Sequence, residues 1–490
     1  MKKVFTIIFT VPLIACALII LGTGPIAAQD ALVNSEAAMI LNPDADDGPD
    51  AVQAWYPTAT FTTLTRKAPY LIYPGVNTQM QILWQLTASD SCTIEWGGDT
   101  LYTDGSGQTS EAGSYHQHSC VLTGLVPGTK YYYRVTAGEE VHTGSFWSAP
   151  EEDAAAVSFI AYGDTRTYPA SHDQVAAAMI TAYTADQNLQ SLIVSVGDLV
   201  GTGNSESDWD SQFFNPSYPN IQKMLATLPY QSCMGNHEGT GTLFVRYFPY
   251  PFISGRYWSF DYGPAHFTVV DQYTSYGPGS AQLTWIENDL AATDKPWKFI
   301  YLHEPGWSAG SHSNSTGVQN YIQPLCEQYG VPIVFAGHNH YYARALVNGV
   351  HHVTTGGGGA PLYSPDTGYP YLVSSAKAHH FCAVAIDGDV LTFRAVNTAG
   401  TVIDSFTITP AVGVETDEAQ PPVPDFVLHP AYPNPCNPST TISFSIPAAS
   451  TVDLAVYNIL GQKVRALAEG RLEAGHHAVP WAGGTILAGR

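Results

Sequence analysis

At 490 residues and a formal charge of -23, the chain is too long for one ordinary core and too acidic for a nucleic-acid partner, because an acidic surface repels phosphate backbones. Only 12% of residues are charged, while 44 Gly, 34 Pro, 29 Tyr and 10 Trp suit exported folds rich in strands and loops and disfavour helical bundles. Any site for a phosphate must therefore bring its own positive charge.

The chain opens with two lysines, a long apolar run and small residues at Ala27 and Ala28, the pattern of an export signal over 1–28 cleaved near Gln29. LIAC, ending at Cys16, resembles a lipoprotein box, but the apolar run continues through Ile20 where a lipoprotein turns polar, so simple cleavage is the expectation. No later segment is long and apolar enough to span a bilayer. The six other cysteines, Cys92, Cys120, Cys233, Cys326, Cys382 and Cys436, lack the spacing of a disulfide framework or a metal knuckle and read as structural.

Residues 29–55, rich in Ala, Asp, Asn and Pro without periodicity, read as a linker. Over 56–149 short alternating strands such as QMQILWQLT (79–87) and KYYYRVTAG (130–138), separated by turn residues, predict an N-terminal β-sandwich. LTGLVPGTKYYYRV (122–135) resembles the corner of fibronectin type III-like domains, where a tyrosine follows a Leu-x-Pro-Gly turn.

From 155 to 410 the rhythm changes. Strands apolar throughout, AVSFIAYGD, SLIVSVGD, PWKFIYLHE and VPIVFAGHNH, alternate with helical stretches such as QVAAAMITAYTADQ, and predict an α/β layered domain. Strands end at Asp164, at Asp198, at Asn236 with His237, at His303, and at His338 with His340. Ligands gather beyond the carboxyl ends of strands in α/β sheets, so all five sets are expected to meet on one edge as metal ligands. Residues 411–425 form an acidic, proline-rich linker, and 426–490 a small β-sandwich domain.

The ordered set GD, GD, GNHE, H and GHNH resembles the calcineurin-like metallophosphoesterases. With the sandwich before it and GGGGAPLY at 356–363, it is most similar to their purple acid phosphatase-like branch. The resemblance implies a four-layer α/β catalytic domain and two metal ions, from iron, manganese or zinc. Asp198 would bridge them, one ion taking Asp164 and His340, the other Asn236, His303 and His338. Phosphate monoesters would be hydrolysed by attack of a bridging hydroxide, with His237, and more loosely His312, contacting substrate.

The pattern departs from the family at two points: Gly201 stands where purple acid phosphatases carry a tyrosine ligand, and Arg166 where other calcineurin-like enzymes carry a histidine ligand. Three roles are open to Arg166: a bidentate phosphate-binding cation, a stand-in for charge at a weakly occupied metal site, or a solvent-facing side chain. The first is the expectation.

The tail, with Asn-Pro-Cys-Asn-Pro and Tyr-Asn-x-x-Gly-Gln, resembles C-terminal secretion sorting and FlgD-like domains. These are read by a secretion machine, which would place the chain outside the cell or at its surface. The chain stops at WAGGTILAGR where that family continues with a turn and a final strand, so a truncated domain is expected. The runner-up activity is a phosphodiesterase or nucleotide hydrolase on the same centre. From another class, the accessory domains fit a cell-surface adhesion protein whose catalytic domain has lapsed.

Overall fold

The computed structural model describes residues 63–409, apart from 110 and 112–114, together with the stretches 3–8, 427–428, 439–457, 463–472 and 475–482. Of the expected export signal only Lys3–Ile8 falls among them, and the two predicted linkers, 29–55 and 411–425, lie outside. Two compact units result, one within Asp50–Val412 and one joining the strands beyond Gly413 to Lys3–Ile8.

The first unit begins with a sandwich. Strands Thr65–Ile72, Gln79–Leu86 and Gln117–Thr123 form one sheet; Gly105–Thr109, Cys92–Gly97, Lys130–Ala137 and Glu140–Trp147 form the other. Alternation explains the pairing: Tyr131, Tyr133, Val135 and Ala137 point inward from KYYYRVTA and meet Leu71, Ile82, Trp84 and Phe146 in one apolar core. The Tyr131 hydroxyl accepts the Val126 N–H at 2.9 Å and closes the Leu-Val-Pro-Gly corner. Cys92 and Cys120 are free thiols, as are Cys233, Cys326 and Cys382.

The sandwich is tied to the domain that follows by buried charge. Lys67, fully buried, sets its ammonium 2.6 Å from Asp210, and Arg66 reaches the same carboxylate at 2.6 Å.

The central domain contains two sheets. Tyr230–Ser232, Ile193–Ser195 and Ala156–Tyr162 run parallel, and His380–Asp387, Val390–Asn397 and Val402–Ile408 extend that sheet antiparallel. The second sheet is ordered Trp258–Tyr262, Ala265–Val269, Trp297–Tyr301, Ile333–Ala336, Val350–Thr355, Tyr342–Val347, Leu372–Ala376. Phe159, Phe267, Phe299 and Phe335 meet between the sheets, with Val175 and Met179 of helix Pro169–Ala185 in the same cluster. Ile286 and Leu290 of helix Ala281–Ala292 form a separate cluster with Ile300 and Val334. The first helix starts five residues before the sequence pattern suggests, because Pro169 pre-sets the helical φ at its first turn and needs no hydrogen-bonded N–H there. Among the described residues no helix is long and apolar enough to cross a membrane.

One buried ion cluster makes stability pH-dependent. His266 lies opposite Asp261 across the antiparallel pair, its Nδ1 2.7 Å from Asp261 and its Nε2 2.9 Å from Asp289 of helix Ala281–Ala292. Burial alone would lower its pKa, but the two carboxylates outweigh it and raise it to about 9. A raised histidine contributes stability in full below its unfolded value of about 6.5, and that contribution disappears as pH rises through about 9. Relative to His266→Gln, the native chain should therefore be more stable by on the order of 3 kcal/mol at pH 6, with the gap closing by pH 10. Paired thermal melts across that range measure it, and a gap independent of pH would show that His266 is not charged in the fold.

In the other unit, Ser439–Ile446 pairs with Gly475–Ala482 and Ser450–Tyr457 with Lys463–Leu472. Ile442, Phe444, Val452 and Leu454 form its core.

Candidate metal centre

The five expected sets come from two sheets rather than one edge. Asp164, Asp198 and Asn236 follow the parallel strands Ala156–Tyr162, Ile193–Ser195 and Tyr230–Ser232 of the first sheet. His303 and the pair His338 and His340 follow Trp297–Tyr301 and Ile333–Ala336 of the second. The stacked sheets bring both sets of carboxyl ends to one place. Asp164, Asp198 and His338 have φ of 55°, 55° and 68°, a left-handed conformation that turns the chain sharply at the strand end. Neighbouring glycines make room: a Cβ at Gly235 would lie 2.2 Å from the Asp198 carboxylate, and one at Gly337 2.2 Å from that of Asp164.

Four side chains converge. Asn236 Oδ1 lies 3.0 Å from His303 Nε2 and 3.1 Å from His338 Nδ1. The two ring nitrogens are 3.2 Å apart, and His303 Nε2 is 3.4 Å from Asp198 Oδ1. Metal–ligand bonds of about 2.0–2.1 Å demand donor–donor edges of roughly 2.9–3.4 Å, so these contacts match a coordination shell. His303 Nδ1–H donates to the Val196 carbonyl at 2.7 Å, which orients the ring with Nε2 toward the centre. A carboxylate, an amide and two imidazoles suit iron, manganese or zinc alike. Asp164, Asp198 and His303 together form a buried group with ligand atoms within 4.8 Å of one another.

The other expected ligands lie beside this group. His340 Nε2 is 3.6 Å from Asp164 Oδ1, and its Nδ1–H donates to the Pro361 carbonyl at 2.9 Å. Arg166 reaches into the same space: Nε is 3.3 Å from Asp198 Oδ2 and Nη2 is 3.5 Å from His340 Nε2. Its side chain is only 11% exposed, which removes the solvent-facing reading. His237 donates its backbone N–H to Asp198 at 2.9 Å and Nδ1–H to the Gly201 carbonyl at 2.6 Å, with Nε2 3.9 Å from Asp198 Oδ2. The His312 ring lies 4.2 Å from that of His338, so it too belongs to the mouth of the site.

Charge in the cluster is finely set. Burial alone would raise Asp198, yet His303, His237 and Arg166 hold it well below the usual carboxylate range. Burial and the neighbouring Asp198 push Asp164 up instead. His303 is raised to about 10 because Asp198 outweighs its burial, whereas burial and the charged His303 keep His338 neutral. Asp198 thus raises the proton affinity of His303, and a metal ion would compete with a proton there.

Several residues that shape the site are given no role of their own in the sequence. Fully buried Glu238 accepts the backbone N–H groups of Asp198, Leu199 and Gly235 at 3.0, 2.7 and 2.6 Å. Gln272 Oε1 accepts the His303 N–H at 2.9 Å, and Tyr363 stacks on His340 at 4.3 Å. GGGGAPLY, quoted above for its resemblance, has a physical reason: a Cβ at Gly358 would lie 2.3 Å from the Gly163 carbonyl, in the turn that carries Asp164.

Comparison with known proteins finds similarity in three stretches of the chain. Residues 159–342 match the family described as calcineurin-like phosphoesterase, 66–152 the purple acid phosphatase N-terminal domain, and 430–475 a secretion system C-terminal sorting domain. Purple acid phosphatase 23 of Arabidopsis thaliana is 27% identical over 46% of this chain and 57% of its own length. Probable inactive purple acid phosphatase 1 of the same plant is 26% identical over 59% of this chain and, again, 57% of its own. The chain thus spans little more than half the length of these relatives. A purple acid phosphatase from yellow lupin (Lupinus luteus) seeds shares the fold, with a TM-score of 0.59 at 20% identity over 71% of this chain and 75% of that one. In chain order, residues 66–152 are thus similar to the purple acid phosphatase N-terminal domain, 159–342 to calcineurin-like phosphoesterases, and 430–475 to secretion sorting domains.

Proposed function

We propose that the chain is an exported, metal-dependent phosphoesterase that releases phosphate from monoesters. The observation that carries this reading is the convergence of Asp198, Asn236, His303 and His338 at 3.0–3.4 Å, the spacing of ligands around one ion. A bound divalent ion supplies Lewis-acid polarisation of a phosphoryl oxygen and an acidic water as nucleophile. The chain's own residues do the rest. Arg166 gives an acidic protein a local positive charge for the phosphate. His237, fixed through Nδ1 to the Gly201 carbonyl, keeps Nε2 for the leaving group. The α/β/β/α layering expected for the central domain is supported by the two separate apolar clusters, and export by the sorting domain.

Likeness alone does not separate an active enzyme from a lapsed one, since a relative named as probably inactive matches as widely as one that is not. The meeting of Asp198, Asn236, His303 and His338 in one place favours activity. Rates on an aryl phosphomonoester and the matching diester, each with manganese, zinc and iron, test the reading. A monoester rate at least about tenfold the diester rate is expected. Diester preference would move the assignment to a phosphodiesterase, and no turnover with any metal would favour a binding protein.

A further inference from the structure

The metal ligands expected for two ions divide into unequal halves. Asp198, Asn236, His303 and His338 offer four donors with the edges of a coordination shell. Asp164, Asp198 and His340 offer three, and between two of these stands a guanidinium. Arg166 Nε–H points to Asp198 Oδ2 at 3.3 Å, and Nη2–H to His340 Nε2 at 3.5 Å. His340 gives its Nδ1–H to Pro361, so Nε2 holds the lone pair a metal would take, and Arg166 is donating to it. Both Asp164 oxygens already lie 3.0 Å from the His338 N–H. The remaining edge, Asp164 to His340, is 3.6 Å, longer than a shell of that size requires.

Neither position 201 nor position 166 completes this half. Gly201 has no side chain to offer, its N–H is held by Gln212 at 2.7 Å, and its carbonyl by His237. A histidine at 166 would add a fourth donor; arginine adds a permanent positive charge, with no lone pair, in its place. The donors of this half therefore do not fit a second ion.

We infer that Arg166 stands in place of one of the two metals, and that the chain holds a single ion, at Asp198, Asn236, His303 and His338. This rests on the metal reading of the site and replaces its count of two. The guanidinium neutralises Asp198 on the side away from the ion. It offers a fixed cation to a phosphate oxygen where the family's centre would offer a second metal.

Metal content of the full chain, loaded with manganese and dialysed, tests this without turnover. Elemental analysis should give about one equivalent per chain, and electron paramagnetic resonance the resolved hyperfine lines of an isolated ion. Arg166→His should raise the content to about two equivalents and produce an exchange-coupled spectrum. Two equivalents or a coupled spectrum in the native chain would overturn the inference, as would Arg166→His remaining at one. Should the histidine variant not fold, Arg166→Gln serves: it frees the same donors, and a second, weaker manganese site is expected in titration, its absence counting against the inference. Two ions with turnover would sink this inference and leave the phosphoesterase standing. One ion without turnover would do the reverse, and no bound metal would remove both.

Discussion

Asp198→Asn should lower phosphomonoester turnover by on the order of 10³-fold and strip most of the bound metal, while leaving the melting temperature within a few degrees. Asparagine tolerates the left-handed backbone, φ 55°, that Asp198 adopts, and its oxygen still accepts the His237 N–H, so the turn survives. What disappears is charge. Asp198 is the carboxylate of the four-donor group and also faces Arg166 and His237. A unit charge at about 4 Å contributes roughly 4 kcal/mol at an effective dielectric of about 20, which corresponds to about three orders of magnitude in rate. The same loss uncouples His303, whose proton affinity depends on Asp198. Elemental analysis beside initial rates decides the point. A variant with native metal content and a rate within tenfold would show that the ion is not held through this carboxylate.

How far the site was readable depends on whether a residue acts through its type or through its direction. The meeting of Asp164, Asp198, Asn236, His303, His338 and His340 could be expected from sequence because each is a metal-capable side chain beyond a strand, most of them apolar, and strand ends converge whatever the details of packing. That they come from two sheets was not legible, since the parallel runs read alike. Arg166 shows the harder case: its type allows a phosphate contact, a stand-in charge or exposure, and only its direction, toward Asp198 and His340, separates them. Gln272 and Tyr363 belong with it, because neither spacing nor composition marks a glutamine that orients a histidine backbone or a tyrosine that stacks on a ring. The ion pairs of Lys67 with Asp210 and of His266 with Asp289 join residues 143 and 23 positions apart, and no local pattern reports them.

Glu238→Ala should cost more stability than any change at the metal ligands, though it offers the ion no atom. In sequence it is the last letter of GNHE, where no role is assigned to it. In the fold its carboxylate turns back and accepts three backbone N–H groups, from Asp198, Leu199 and Gly235, with no exposure to water. Removing it orphans all three donors, each costing about 1–3 kcal/mol, so a loss of about 3–5 kcal/mol is expected after partial relaxation. For a domain of this size that is a fall of roughly 10 °C in melting temperature. Glu238→Gln keeps one accepting oxygen but turns an amide N–H toward a backbone donor, and should fall between. Burial and the charge of Asp198 push Glu238 up to about 7, so near neutral pH the carboxyl stands poised between its charged and uncharged forms. A bound cation beside Asp198 would offset that repulsion, so metal loading should stabilise the native chain more than Glu238→Gln, whose amide has no charge to relieve. Thermal melts with and without manganese measure the difference, and equal shifts in the two chains would mean that Glu238 shapes the turn without sensing the ion.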